Sequence, residues 1–321
     1  MEDKQVMRVA AVQMESRNND VAANIAKATK LIEEAVADGA RLVLLPELAT
    51  TGYELNSNIW NLAETENGIT VSWLKALSKK HGIWLGASFL EAEGEEFYNT
   101  FVLTNPDGEV DGKVWKEMPG SIETYLFKGR KSNHIIETSF GRVGVLVCYD
   151  QLMAEPVKAL ARQSPDLILL PHSAAEPTKV PILFPDSAIQ WMDEKMQQTA
   201  QRFSKLFGVP CVLANKAGPW DSKVPSPYPE QHGKFLGYSS ICDSGGALRQ
   251  QLVKKEGIVV ADVSLDSTRK VKGVVVNSFG HWAVDVSWHF KWWSLVETRG
   301  RKNYAKNRVR KAKALEISNA W

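Results

Sequence analysis

The chain has 321 residues, 44% of them hydrophobic, with 39 Lys and Arg against 37 Asp and Glu. A net charge of +2 is too small for a nucleic-acid footprint, no apolar run reaches the roughly 20 residues of a membrane helix, and residues 1–8 (MEDKQVMR) open no apolar leader. Three cysteines make a poor disulfide framework and point to a reducing, cytoplasmic setting for an α/β chain large enough to bury a core without staples.

Short apolar runs alternate with amphipathic stretches. MRVAAVQM (7–14) reads as a buried strand, and NIAKATKLIEEAVADGA (24–40) has a helical period that stops at Gly39. RLVLLPEL (41–48) is a second strand, and VSWLKALSKKHG (71–82) a helix ended by Gly82. IWLGASFLE (83–91) and FYNTFVLTNPDGEV (97–110) read as strands, the latter turning at Asn105-Pro106-Asp107-Gly108. HIIETSFGRVGVLVCYD (134–150) predicts a strand pair with a turn near Gly141, AEPVKALARQ (154–163) a helix and DLILLPHS (166–173) a strand. SAIQWMDEKMQQTAQRFSKLFG (187–208) is a long helix stopped by Gly208, followed by strands in VPCVLANKAG, FLGYSSICD and GIVVADVSL. Strand–helix alternation of this kind predicts covered sheets with helices outside. From about Lys272 the rhythm breaks. VSWHFKWWSLVE (286–297) is aromatic-rich and is expected to pack on a partner subunit or over the core, since exposed aromatics at that density are costly in a monomer. The basic run at 299–316 reads as a solvated helix face.

Cys148 ends the strand VGVLVCYD, ahead of a helix beginning near Glu155. Ligands gather at strand C-termini in α/β proteins, and a helix N-terminus favours a thiolate. A lone cysteine reads more readily as a small core residue, which is the reading given to Cys211 and Cys242. A cysteine nucleophile also needs a base and an oxyanion partner. Among the six histidines, His172 follows a strand end and leaves a Cys–His pair open. Glu47, after Leu44-Leu45-Pro46, is either a helix cap or an acid/base whose pKa burial would raise. Lys116 taken alone is an ordinary surface lysine.

Taken together, LLPELATTGYE (44–54), GEVDGKVWKEMPG (108–120), GRVGVLVCYDQLMAEP (141–156), ANKAG (214–218) and GYSSICDSGG (237–246) resemble the carbon–nitrogen hydrolase (nitrilase-like) superfamily over roughly residues 7–270. The resemblance implies a four-layer α–β–β–α sandwich, two central sheets flanked by helices, in a domain at 1–275 with a tail at 276–321 that packs on a partner subunit. It implies Glu47 as general base, Lys116 as oxyanion stabiliser and Cys148 as nucleophile, with the backbone N–H of Cys148 or Tyr149 adding to the oxyanion hole. Glu123 would be the second glutamate that orients the lysine, with Glu117 as its rival. No metal or cofactor is implied, and assembly into a homodimer or larger homo-oligomer is.

Nitrile-cleaving members tend to carry Trp-Glu after the nucleophile, whereas Tyr149-Asp150 resembles the amide- and carbamoyl-cleaving branches. The arginine and proline that follow in several branches are here Leu152 and Ala154, which disfavours a carboxylate-bearing substrate. Tyr53, Tyr149, His172, Ser173 and Ala174 are the expected substrate-lining residues, and Trp191 is expected in the core. The reading is therefore a hydrolase of a small amide. A nitrilase or N-carbamoyl amide hydrolase on the same site is the alternative, and a non-catalytic interaction protein retaining the fold is the alternative of another class.

Overall fold

The computed structural model describes residues 5–176, 178–179 and 185–320, so the first four residues of the polar start lie outside the described residues. The first half supplies β1 (Gln5–Gln13), α1 (Val21–Ala37), β2 (Leu42–Leu44), α2 (Ile69–His81), β3 (Trp84–Glu93), β4 (Glu96–Thr104) and β5 (Val110–Trp115). The second supplies β6 (Ile135–Thr138), β7 (Gly141–Val145), α3 (Ala154–Ala161), β8 (Leu167–Pro171), α4 (Asp186–Phe207), β9 (Cys211–Ala214), a hairpin of β10 (Pro219–Ser222) and β11 (Gln231–Lys234), β12 (Ser240–Cys242), β13 (Leu248–Gln251) and β14 (Gly257–Leu265). The tail forms α5 (Trp288–Lys291), α6 (Trp293–Lys306) and α7 (Arg308–Ser318).

Two six-stranded sheets result, in the orders β14-β1-β2-β3-β4-β5 and β13-β12-β9-β8-β7-β6. Each has three parallel strands at its heart, β1-β2-β3 in one and β7-β8-β9 in the other, with antiparallel strands on both sides. Strand alternation then assembles the layers. Val9, Ala11, Leu42 and Leu44 of one sheet meet Val143, Val145, Leu167 and Leu169 of the other. Their neighbours Ala10, Val12 and Val43 turn outward onto Ile32 of α1 and Leu74 of α2. Leu146, Ile168 and Leu213 turn outward onto Leu160 of α3 and Phe203 of α4. The architecture is the α–β–β–α sandwich. Truncating Leu44 or Leu169, both fully buried, to Ala would cost about 2–5 kcal/mol.

The α1 helix begins where the Asp20 side chain accepts from Ala23 N, and α2 and α4 end on Gly82 and Gly208 in the left-handed conformation. The strand expected over 41–48 keeps ladder geometry through Leu44, because Pro46 has no N–H to contribute. Strand β7 likewise ends at Val145, and Cys148–Leu152 is a 3₁₀ turn. The β10–β11 hairpin and β13 were not foreseen: PWDS, QHGK and LRQQ carry no apolar alternation to announce them. At the carboxyl ends of the parallel strands the sheets are tied to each other, by a Met14–Lys216 bridge and by Glu47 N donating to His172 O (3.2 Å).

The tail folds back on its own chain. Tyr304 Oη accepts from Phe97 N (2.9 Å), and Val296 and Ala314 join a core cluster with Phe97 and Tyr125. The basic run is mostly solvated, with one correction. Arg310 is 1% exposed, its guanidinium bonded to Glu96 (2.7 Å) and lying over the Tyr304 ring. No helix among the described residues is long and apolar enough to cross a membrane.

Candidate active site

The strand ends that meet between the sheets deliver the charged side chains. Glu47 follows β2 and is fully buried; its Oε1 accepts from Asn99 Nδ2 (2.8 Å) and Lys116 Nζ (2.7 Å), while Oε2 has no hydrogen-bond partner among the described residues. Lys116 leaves β5 with its backbone N donating to Asn99 O, so one asparagine of β4 holds both residues in register. Its ammonium also donates to Glu123 Oε1 (2.8 Å). Glu123 lies on the 3₁₀ turn Ser121–Tyr125 and accepts in addition from Tyr53 Oη (2.9 Å) and Gly120 N (2.7 Å). Gly120 is required there, since a Cβ would stand 2.8 Å from the Tyr149 ring. Burial opposes the charge on Lys116, yet Glu123 and Glu47 hold it well above the usual lysine range. Burial, reinforced by Glu47, pushes Glu123 up against the pull of Lys116.

Cys148 is half-buried and stands at φ +49°, a left-handed backbone that costs a residue with a Cβ about 1–3 kcal/mol. Burial first, then the carboxylates of Glu47 and Glu123, push its thiol well above the ordinary cysteine range, although Lys116 and a bond from the Ser173 backbone act in the opposite direction. The help that a helix N-terminus can give a thiolate is distant here, since α3 starts six residues later, while burial and the carboxylates raise the thiol's pKa.

One cavity of about 420 Å³ is lined by Tyr53, Lys116, Glu123, Cys148, Tyr149, His172, Ser173 and Ala174, with Glu47 immediately beneath Lys116. Every residue expected at the site is therefore brought together. Ser173 Oγ donates to Glu47 O (2.8 Å), and Asn215 accepts from Ala174 N (2.9 Å). Glu117 points elsewhere, to His134 Nε2 (3.2 Å), so Glu123 is the second carboxylate on the lysine. His172 is buried with Nε2 unpartnered among the described residues, and burial, with Lys116 and Arg202 nearby, lowers its pKa to about 3. Asp150, raised to about 6 by burial, accepts from Met118 N (2.7 Å) and Glu117 N (3.2 Å) and so fixes the loop just past Lys116.

Residues 8–273 match the sequence model of the carbon–nitrogen hydrolase family. The chain belongs to that family. This hydrolase of carbon–nitrogen bonds is 32% identical over 176 residues to a nitrilase of Pyrococcus abyssi, spanning 54% of this chain and 67% of that one. It is 32% identical over 219 residues to a citrullinase of Francisella tularensis, spanning 65% and 74%. Its fold superposes on a mutant amidase from Nesterenkonia sp. AN1 at a TM-score of 0.66 and 25% identity, over 81% of this chain and 90% of that one; that protein carries the acetamide moiety of fluoroacetamide on its active-site cysteine.

Several residues of the hydrolase site were missed from sequence. Asn99 carries no signal beyond its place in a strand. Lys216, fully buried, donates to Leu48 O (2.9 Å) just after Glu47, and burial lowers its pKa to about 7. Glu297 of α6, 4% exposed, accepts from Tyr149 Oη (3.0 Å) and Ser121 N (3.2 Å), joining the tail to both loops of the site. Trp191 is corrected from core to cavity wall, where it meets Phe290 with ring centroids 5.0 Å apart. Trp282, Val286, Trp292 and Trp293 of the tail line the same cavity.

Proposed function

We propose that this hydrolase cleaves the C–N bond of a small amide through a thioester on Cys148. The observation that carries the reading is a single ammonium, Lys116, gripped at 2.7 and 2.8 Å by two buried carboxylates and opening on the same cavity as a half-buried cysteine. Burial and the neighbouring carboxylates raise the thiol's pKa, so attack requires a base. The unpartnered Oε2 of Glu47 takes the thiol proton as Sγ bonds to the amide carbon. Two N–H bonds of Lys116 go to Glu47 and Glu123; the third meets the oxyanion, with the backbone N–H of Cys148 or Tyr149 beside it. Collapse breaks the C–N bond, and the proton held by Glu47 leaves with the amine. Water then gives a proton to Glu47 and attacks the thioester, releasing the acid and restoring the thiol. Glu123, tied by Tyr53 and Gly120, positions the lysine.

Tyr149-Asp150 after the nucleophile and Leu152 in the wall favour a neutral amide over a nitrile or a carboxylate-bearing substrate. Arg202, whose charge is felt at His172, is engaged by Gln151. Measuring ammonia and acid from amides, nitriles and N-carbamoyl compounds tests the assignment: amide turnover is expected, and nitrile or carbamoyl turnover without amide turnover would reject it. Self-association belongs to the same proposal. Leu295 and Val309 remain 73% and 74% exposed on the tail helices, apolar surface that a second copy would cover. Sedimentation analysis should find a dimer or larger species, and a monomer at micromolar concentration would refute that part.

A further inference from the structure

The cavity is larger than a small acyl group requires, and its composition is uneven. At about 420 Å³ the cavity holds far more than an acetyl group, which would leave most of it to solvent. Charge is concentrated at the Lys116 and Glu123 end, with Lys195 exposed at the rim. Much of the remaining wall is carbon: Leu152, Trp191, Trp282, Val286, Phe290 and Trp293. Four of these six, Trp282, Val286, Phe290 and Trp293, lie beyond residue 273, where the family match ends.

The aromatic wall is continuous with the nucleophile loop. The ring of Tyr149 lies 5.7 Å edge-on to Trp282 and 5.8 Å from Trp293; Trp293 meets Phe290 at 5.0 Å, and Phe290 meets Trp191 at 5.0 Å. Main-chain bonds fasten the tail to the turn behind Cys148, Ala283 N to Leu152 O (2.7 Å) and Ala154 N to His281 O (2.9 Å). Glu297 adds its bonds to Tyr149 and Ser121. A charged or ureido tail on the substrate would lose water against these rings and find few partners there, whereas an apolar tail gains from every carbon buried.

We infer that the acyl half of the substrate is a bulky apolar group, an arylalkyl or medium-length alkyl chain, and that tail residues 282–293 set this preference. The inference rests on the amidase reading and names its substrate class. Each methylene buried on the wall raises kcat/KM by about fourfold.

The test compares kcat/KM for ammonia release by the full-length enzyme from acetamide, hexanamide, 3-phenylpropanamide and the carboxylate-tailed glutaramate. Hexanamide and 3-phenylpropanamide should exceed the other two by tenfold or more. Acetamide or glutaramate turned over as well as the apolar amides would overturn the inference and leave the amidase reading standing. Turnover of no amide would reject the amidase reading and the inference with it. In V286F, which fills the wall, the ratio of 3-phenylpropanamide to acetamide should fall at least fivefold; an unchanged ratio removes the tail from specificity.

Discussion

At the floor of the cavity Lys116 holds Glu123 at 2.8 Å and, just beneath, Glu47 at 2.7 Å, whereas on the aromatic wall Trp191, Phe290 and Trp293 meet with ring centroids 5.0 Å apart. The floor is directional. Its atoms are charged and buried, so a missing partner leaves an ion without water or counter-ion. The wall works by volume and carbon surface, and such surfaces tolerate exchange while changing what they admit. Floor substitutions should therefore stop the reaction, and wall substitutions should redirect it.

The largest effect should come from C148A, which removes the nucleophile from a half-buried position and leaves the packing intact. Its kcat/KM should fall by at least about 10⁴-fold at unchanged circular dichroism. Activity within tenfold of wild type would erase the distinction between floor and wall. Next is K116M, expected to lower kcat by about 10²–10³-fold and stability by about 3–5 kcal/mol, because two buried carboxylates lose their cation. Denaturant titration beside steady-state kinetics reads both, and a stable, active K116M would mean the ammonium is dispensable.

A pH experiment sharpens the comparison at His172. Burial holds this residue neutral in the fold, with a pKa of about 3, while in the unfolded chain histidine protonates near about 6.5. Between these values the unfolded state binds the extra proton. His172 therefore imposes no penalty above about pH 6.5 and weakens the fold as pH drops below it, by about 2 kcal/mol at pH 5. In H172N the acid loss of stability should be shallower by that amount, and parallel wild-type and mutant curves would show that the imidazole is solvated. The smallest effect is expected for E297Q, where an amide oxygen still accepts from Tyr149 and Ser121: about 1 kcal/mol of stability and a few-fold change in kcat/KM. A loss as large as that of K116M would move Glu297 from wall support to the floor.

The two sides differed as much in legibility. The floor lies in short runs with local signatures: LLPEL ends a strand on Glu47, and VCYD ends one near Cys148. Family resemblance joined them to Lys116 and ranked Glu123 above Glu117. The order of strands and helices was readable because burial on both faces of parallel strands writes continuous Val and Leu runs. The wall was not readable. Residues 282–293 carry neither a two-residue nor a 3.6-residue period, so their aromatics announced burial without saying against what. Trp191 sits on a helix whose pattern predicts core packing, and the position of α5 beside it is a long-range fact. The environment of the thiol was illegible for the same reason, since the burial and the carboxylates that raise its pKa come from distant segments, Glu47 after β2 and Glu123 on the turn at 121–125.

The central claim is that the acyl group passes through the sulfur of residue 148, and acid-quenched mass spectrometry during amide turnover tests it most directly. Tryptic cleavage isolates Cys148 in the peptide spanning 143–158. The account predicts that this peptide gains the mass of the amide's acyl group, and that the gain is absent from C148A. An acyl group found on another residue, or undiminished hydrolysis by C148A, would contradict it.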